Sequence, residues 1–344
     1  MAEYVEVNFA DLKKQVKATF MGVGVPANEA DIVTASLLDA EASHVESHGL
    51  NRMKPYVERL ANGTMTKVAK LNLQMNGAVG ILDGGNSLGQ VVAHYATEKV
   101  IENAKKFGIA AIAVHNSNHF GTAGFYSHMM SDAGCIGITL TNSGPYVAPF
   151  GGKSRMLGTN PIAVCFPTTK RTFCGDFATS TVSNGKITIY AKKGDPVPVG
   201  WALDSTTGED TTDSAKALKG ILLPLGGYKG YCLGMIVEML SAMLSRAKFS
   251  YESTSMFIAT TANPDVGHFI MAIDIEHFLP LAEFKERAEK FCQDLKTSPA
   301  REGMEILTPG EPEDRERAKV GEHIKVLAKT MTTINELYEK YGKR

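Results

Sequence analysis

The chain has 344 residues, a formal net charge of −1, 44% hydrophobic and 21% charged residues. Near-balanced charge gives no electrostatic footing for nucleic acid or an anionic membrane as partner, and the length suffices for a large core or two domains. The longest apolar stretch, GMIVEMLSAML (234–244), carries a charge and falls short of the roughly 20 residues of a membrane helix.

The N-terminus, MAEYVEVNFADLKKQ, carries early acids and no apolar signal core, so neither a secretory nor a transit peptide is expected. Residues 8–21 show helical apolar spacing at Leu12, Val16 and Phe20. Asn28 to Ala42 reads as a second helix with Asn28 as its cap, and HVESHGL (44–50) sits at its end. Met53 to Ala61 is a third helix, closed by Asn62-Gly63. The texture then changes. Residues 71–85 read as paired strands with glycine turns, Gln90 to Phe107 as a helix, and 109–118 as a buried strand entering a polar loop. A short helix (126–133) and strands at 135–143, 160–168 and 171–178 follow. Those last strands succeed one another too closely for helical crossovers, which predicts a mixed or antiparallel sheet in an α/β chain. The polar stretch 192–216 reads as loop, Gly230 to Leu244 as a buried helix, and 268–275 as a strand. Phe284 to Thr297 and Asp314 to Leu337 read as amphipathic helices.

The five cysteines, Cys135, Cys165, Cys174, Cys232 and Cys292, are far apart, odd in number and never form C-x-x-C. That spacing argues against a disulfide framework or a zinc site, and thiols in apolar contexts suit a reducing cytoplasm. There is no H-E-x-x-H and no G-x-S-x-G, so no metal is expected and chemistry would rest on histidine, serine, aspartate and arginine.

Several stretches could carry that chemistry. GGNSLGQ (84–90) suggests a phosphate-binding turn, but its spacing is not G-x-G-x-x-G and no acid ends a second strand about 20 residues on; a plain turn is the simpler reading. HNSNHFGTAGFYSH (115–128) places His119 in a polar loop after a buried strand, as a functional group or as a satisfied loop histidine. TNSGPYVAPFGG (141–152) and MLGTNP (156–161) supply hydroxyls, amides and glycines at strand ends, able to hold a pyrophosphate or to serve as turns. Asp176, ending RTFCGD, could orient a histidine or cap a helix. Lys229 lies in a glycine-rich turn before a helix, where it could bind phosphate or carboxylate. The acids of TPGEPED (308–314) could take a ribose hydroxyl or start a helix. HVESHGL spends two of nine histidines beside Ser47, with Arg52 close behind.

SHGLNR (47–52), NSNHFGTAGFY (116–126), PFGGKSRMLGTNPIAV (149–164), DFATS (176–180) and LLPLGGYKGY (222–231) occur in this order, and together they resemble the type-2 malate/L-lactate dehydrogenase family. The resemblance implies a non-Rossmann α/β fold, with the cofactor on a largely antiparallel or mixed sheet near a homodimer interface. It implies a helical, substrate-side domain from residues 1–75 plus 276–344, and an NAD(P)-binding mixed-sheet domain over 76–275. By resemblance His48 is the catalytic acid/base, with Ser47 and Asp176 as relay partners. Arg52 is the clamp for a substrate carboxylate. His119 matches a histidine treated as the base in some members, and the choice between it and His48 stays open. Ser143, Asp176, Phe177, Ala178, Lys229, Gly310 and Glu311 match positions that touch the dinucleotide. Phe177 stands where the family has methionine, Cys232 where it has glycine, and SRAKFSYESTS (245–255) lacks the usual small-residue pattern.

The implied activity is NAD(P)-dependent interconversion of a small 2-hydroxy acid and its 2-oxo acid. Malate is the first choice and lactate the second; ureidoglycolate, sulfolactate and cyclic-imine chemistry are alternatives within the family. NAD is preferred to NADP, and a cytoplasmic homodimer is implied. A catalytically silent metabolite-binding relative would have lost Ser47, His48, Arg52 or Asp176, and all four are present. A hydrolase built on Ser47–His48–Asp176 is disfavoured, because adjacent side chains on a helix or strand point apart.

Overall fold

The structure is a computed structural model that describes residues 3–254 and 262–343. A strand, β1 (Tyr4–Asn8), leads into helices α1 (Phe9–Gly22), α2 (Ala27–Ala42) and α3 (Met53–Ala61). The hairpin β2 (Asn72–Asn76) and β3 (Val79–Asp83) precedes α4 (Gly89–Phe107), β4 (Ile109–Ser117), α5 (Ala123–Asp132) and β5 (Cys135–Thr141). Then come β6 (Ile162–Pro167), β7 (Thr172–Phe177), α6 (Asn184–Lys193), β8 (Ala202–Leu203), α7 (Ser214–Lys219) and β9 (Ile221–Leu222). The chain closes with α8 (Tyr228–Glu238), β10 (Val266–Asp274), α9 (Leu281–Lys296), α10 (Glu311–Arg317), β11 (His323–Leu327) and α11 (Ala328–Leu337). No helix among the described residues is long and apolar enough to cross a membrane.

The expected sheet is present, seven strands in the order β2-β3-β4-β10-β5-β6-β7. Only β3 and β4 pair in parallel; every other neighbour in it is antiparallel. Two antiparallel steps restore direction, so β3, β4, β5 and β7 all point the same way. Their carboxyl ends therefore emerge along one edge, and the loops they feed collect there. Strand β4 is apolar on both faces because both are covered. Ala110, Ile112 and Val114 pack with α4 and α5, while Ala111 and Ala113 pack with Val237 of α8.

The chain's two ends make a separate core. Asn8 caps α1 by accepting the Asp11 N–H at 3.0 Å, and Leu12, Val16 and Phe20 turn inward. Each such buried apolar side chain contributes roughly 1.5–3 kcal/mol. They meet Leu37, Leu60, Ile324, Val326, Ile334 and Leu337 in one cluster, closed by antiparallel pairing of β1 with β11.

Four local readings are corrected. Residues 314–337 are not one helix: α10 stops at Arg317, and HIKVL forms β11, with Ile324 and Val326 buried and Lys325 exposed. The same alternation in YVEVN makes β1. Asn28 lies inside α2, whose cap position is Pro26. The stretch 192–216 includes the last residues of α6, then β8 and the start of α7; β-branched Ile187, Thr188 and Ile189 hide α6 from a propensity reading. Helix α8 passes into a π-helical turn (Met239–Met243), and its outer side is not buried: Met235, Ile236, Met239, Met243 and Leu244 are exposed. Of the segment 245–255, Ser255 lies outside the described residues.

Candidate active site

The site starts where α2 ends. His44 takes a left-handed conformation (φ 60°), and the Val45 N–H reaches back to the Ala40 carbonyl at 2.8 Å. The chain is therefore no longer helical at His48, and His44, exposed beyond the turn, does not sit one helical turn below it. Glu41 holds the far side by accepting the Leu50 N–H at 2.9 Å. Burial pushes its carboxyl up to about 7, a rise that this hydrogen bond opposes.

This turn brings Ser47 and His48 together: Ser47 Oγ lies 2.9 Å from His48 Nδ1. The expectation that adjacent side chains would point apart assumed regular backbone, and the turn is not regular. Arg52 Nε donates to the Ser47 carbonyl, which holds the guanidinium beside the same turn. The Cβ direction of Gly185, at the start of α6, faces Ser47 at 3.4 Å, so that helix forms a wall.

His119 arrives from the carboxyl end of β4. Its ring stacks on His48, centroids 5.4 Å apart and planes 23° from parallel. Its Nδ1 is 2.5 Å from the Tyr56 hydroxyl of α3 and accepts the Gly121 N–H at 3.3 Å. Burial, aided by the Arg52 charge, lowers the His48 pKa to about 4. Burial also lowers His119 well below its ordinary value, with His48, Arg52 and His268 adding to it. Both imidazoles are thus neutral at neutral pH, ready to accept a proton.

Three supports escaped the sequence reading. Tyr56 sits four residues after Arg52, a helical spacing that could have flagged it. His268 of β10 bridges Thr141 Oγ1 and Ser117 Oγ, both at 2.8 Å, and stacks at 4.5 Å on Phe120, next to His119. Inside an apolar strand it read only as core. Glu238, buried at the end of α8, accepts from Asn160 Nδ2 (2.8 Å), the Ser250 N–H (2.6 Å) and Ser250 Oγ (2.9 Å), gathering loops behind the sheet edge.

The turn GGNSLGQ turns its polar groups inward. The Asn86 N–H donates to the Asn116 carbonyl at 2.7 Å, and Asn118 Nδ2 to Asn86 Oδ1 at 3.0 Å. A Cβ at Gly89 would overlap the Asn118 and His119 carbonyls. Its glycines serve close packing beneath the histidine loop, which is the plain-turn reading.

The remaining candidates lie along the same edge. Ser143 follows β5 and accepts the Thr159 N–H at 3.3 Å. Asp176, Phe177 and Ala178 end β7, with Phe177 exposed. Lys229 is exposed in the first turn of α8, which no side chain caps. The structure does not bring Asp176 into the Ser47–His48 pair. Its Oδ2 accepts the Gly124 N–H at 2.7 Å, at the start of α5. Burial of its carboxyl raises its pKa to about 7 against that hydrogen bond. Glu311 is already engaged, by Lys296 at 2.7 Å and Arg315 at 2.8 Å; these partners outweigh its burial and hold its carboxyl down at about 2. Gly310 packs against Cys174. Cys165 and Cys174, distant in sequence, are cross-strand partners in β6–β7.

Fold and site together define a mixed α/β protein with paired neutral imidazoles and a neighbouring guanidinium beside one edge of the sheet. A family model described as malate/L-lactate dehydrogenase matches residues 7–335. A malate dehydrogenase from Pyrococcus abyssi is 38% identical, covering 98% of this chain and 97% of its own. An L-sulfolactate dehydrogenase from Methanocaldococcus jannaschii is 37% identical over 96% and 95% of the two chains. The solved sulfolactate dehydrogenase of that organism superposes with a TM-score of 0.93, at 35% identity, covering 98% of each chain. The chain belongs to the malate/L-lactate dehydrogenase family.

Proposed function

We propose that this dehydrogenase interconverts a small 2-hydroxy acid and its 2-oxo acid, with malate and oxaloacetate first and lactate and pyruvate second. The stacked His48–His119 pair beside Arg52 carries the reading. Sulfolactate, ureidoglycolate and cyclic imines are the alternatives within the family. When bound, a nicotinamide cofactor supplies or takes the hydride. The residues fit such a group: the uncapped, positive start of α8 with Lys229 suits a pyrophosphate. Phe177 offers an exposed apolar wall, and Ser143 and Ala178 adjoin it. Asp176 joins this wall, and Gly310 and Glu311 border it from behind β7. NAD is preferred to NADP, since the arginines beside β7, Arg171 and Arg317, are already paired with Asp314.

In the oxidative direction neutral His48 accepts the hydroxyl proton, and in reduction it returns a proton to the developing alkoxide. Ser47 Oγ, at His48 Nδ1, sets the ring's orientation. Arg52 binds the substrate carboxylate and aims the 2-carbon at the hydride position. His119, locked by Tyr56, backs His48 and is the second candidate proton carrier.

Residues 1–75 with 276–344 form the proposed helical substrate side, and 76–275 the cofactor-binding sheet, whose pairing departs from the all-parallel dinucleotide fold. Helix α9 rests on the sheet, Phe284 meeting Phe166 edge-on at 6.1 Å. The exposed apolar face of α8 and its π turn supports a homodimer. Five free thiols, four of them buried, suit the cytoplasm.

The deciding experiment follows dihydronicotinamide absorbance with oxaloacetate, pyruvate and sulfopyruvate, each with NADH and NADPH. Turnover of oxaloacetate above the others is expected. His48→Ala should lower turnover by about 10²–10⁴-fold with cofactor binding retained. Unchanged turnover in that variant would remove His48 from the mechanism.

A further inference from the structure

Helix α5 lies along β7 in matching register. Gly124, His128 and Ser131 share one helix stripe, and Asp176, Cys174 and Thr172 share one face of the strand. Gly124 meets Asp176, its N–H donating to Oδ2 at 2.7 Å, and Ser131 Oγ meets Thr172 Oγ1 at 3.0 Å. Between them, His128 faces Cys174. Cys165 stands directly across the ladder from Cys174, because their strands pair in that register.

The donor atoms of His128, Cys165 and Cys174 all lie within 4.8 Å of one another, with both cysteines buried and the histidine half-buried. We propose that these three side chains bind a zinc-class d¹⁰ divalent cation, with solvent in the fourth position. Four physical arguments support it. Donors sharing one zinc ion stand about 3.5–3.8 Å apart, given bond lengths of about 2.3 Å to thiolate and about 2.0 Å to imidazole. Side-chain rotation of about 1 Å closes the observed spacing to that range. Two thiolates with one divalent cation make a neutral set, so burial leaves no uncompensated charge. Two sulfurs with one nitrogen prefer a soft or borderline metal over magnesium or calcium. Binding is a ligand exchange without redox change: two thiols release their protons, two metal–sulfur bonds and one metal–nitrogen bond form, and the ion sheds water.

The position gives the site a consequence. A bound ion ties α5 to the β6–β7 hairpin, whose end carries Asp176, Phe177 and Ala178. Gly310 packs on the Cys174 backbone, so the 308–311 loop rests on the same spot. The ion would brace the hairpin end without touching Ser47, His48 or Arg52. The sequence spacing argued against such a site because the ligands come from a helix and two strands rather than from one short motif.

Cobalt(II) added to the reduced, metal-free full chain tests this. One equivalent should give thiolate-to-cobalt charge transfer and the intense visible bands of four-coordination. Zinc should displace it and raise Tm. Cys165→Ser and Cys174→Ser, checked for folding by circular dichroism, should lose the spectrum, and Cys232→Ser, at the exposed thiol, should keep it. X-ray absorption on the zinc-loaded wild-type chain serves if the serine variants do not fold: a shell of two sulfurs with nitrogen supports the site. A shell of oxygen and nitrogen alone, no cobalt–thiolate band, or a band lost only in Cys232→Ser overturns it.

Discussion

His48 is held neutral by burial first and by the Arg52 charge second, and the two causes can be separated. Arg52→Leu removes the charge and leaves most of the burial. The acid limb of kcat/KM in the oxidative direction should therefore move up from its position near pH 4, while KM for the 2-hydroxy acid rises by roughly 10²-fold from loss of a charge-assisted carboxylate contact. An unmoved limb with normal KM would place the guanidinium outside the substrate site. His268 carries a stability effect of definite sign. Burial depresses its folded pKa to about 3, below the unfolded value near 6.5. The unfolded chain binds the proton first, so stability present above pH 6.5 is lost as pH falls toward 3, by on the order of 3–5 kcal/mol. His268→Gln should flatten that acid slope in denaturant titrations at several pH values; an unchanged slope would mean that His268 is not the group responsible. Glu41 acts with opposite sign: its raised carboxyl favours the fold in protonated form, an advantage lost as pH rises from about 4.5 through 7.

At the scale of elements, the Ser47–His48 turn depends on irregular backbone and on what lies behind it. The left-handed His44 and the Glu41–Leu50 bond end α2 sharply enough that two successive side chains converge. Helix α6 walls Ser47 from the other side. Behind the sheet edge, Glu238 ties α8 to the 160 and 250 loops. Glu238→Ala would leave buried donors of Asn160 and Ser250 without their acceptor, at about 1–3 kcal/mol for such a loss. A Tm decrease of several degrees is expected in a thermal melt, with kcat affected less than stability. A variant melting with the wild type would show that water replaces the carboxylate fully.

At the scale of the molecule, one face asks for cover. Met235, Met239, Met243 and Leu244 are exposed together on α8 and its π turn, an apolar surface of a kind that marks interaction sites. With the proposed homodimer built on this face, paired charges at Met239→Glu and Met243→Glu should shift sedimentation to monomer and depress turnover, since α8 also carries Lys229. A variant still dimeric by sedimentation would move the interface elsewhere.

Much of this was legible before any coordinates. The four residues between β6 and β7 required antiparallel pairing there, because so short a link cannot make a crossover. The ordered motifs marked His48, His119 and Arg52, since chemistry restricts which side chains can move a proton or clamp a carboxylate near neutrality. Local pattern also held β1 and β11, in the alternation of YVEVN and HIKVL, although no strand is read in YVEVN and a helical reading of 314–337 hides the second. Other features had no local signature. The contact between Ser47 and His48 depends on a turn that α6 and Glu41 shape from afar. The stacking of His119 on His48, the bridging role of His268 and the His128–Cys165–Cys174 cluster each join residues from different strands and helices. Chain order records which groups are present and their local periodicity; the distances among them are set by packing of distant segments, and only the folded chain decides that.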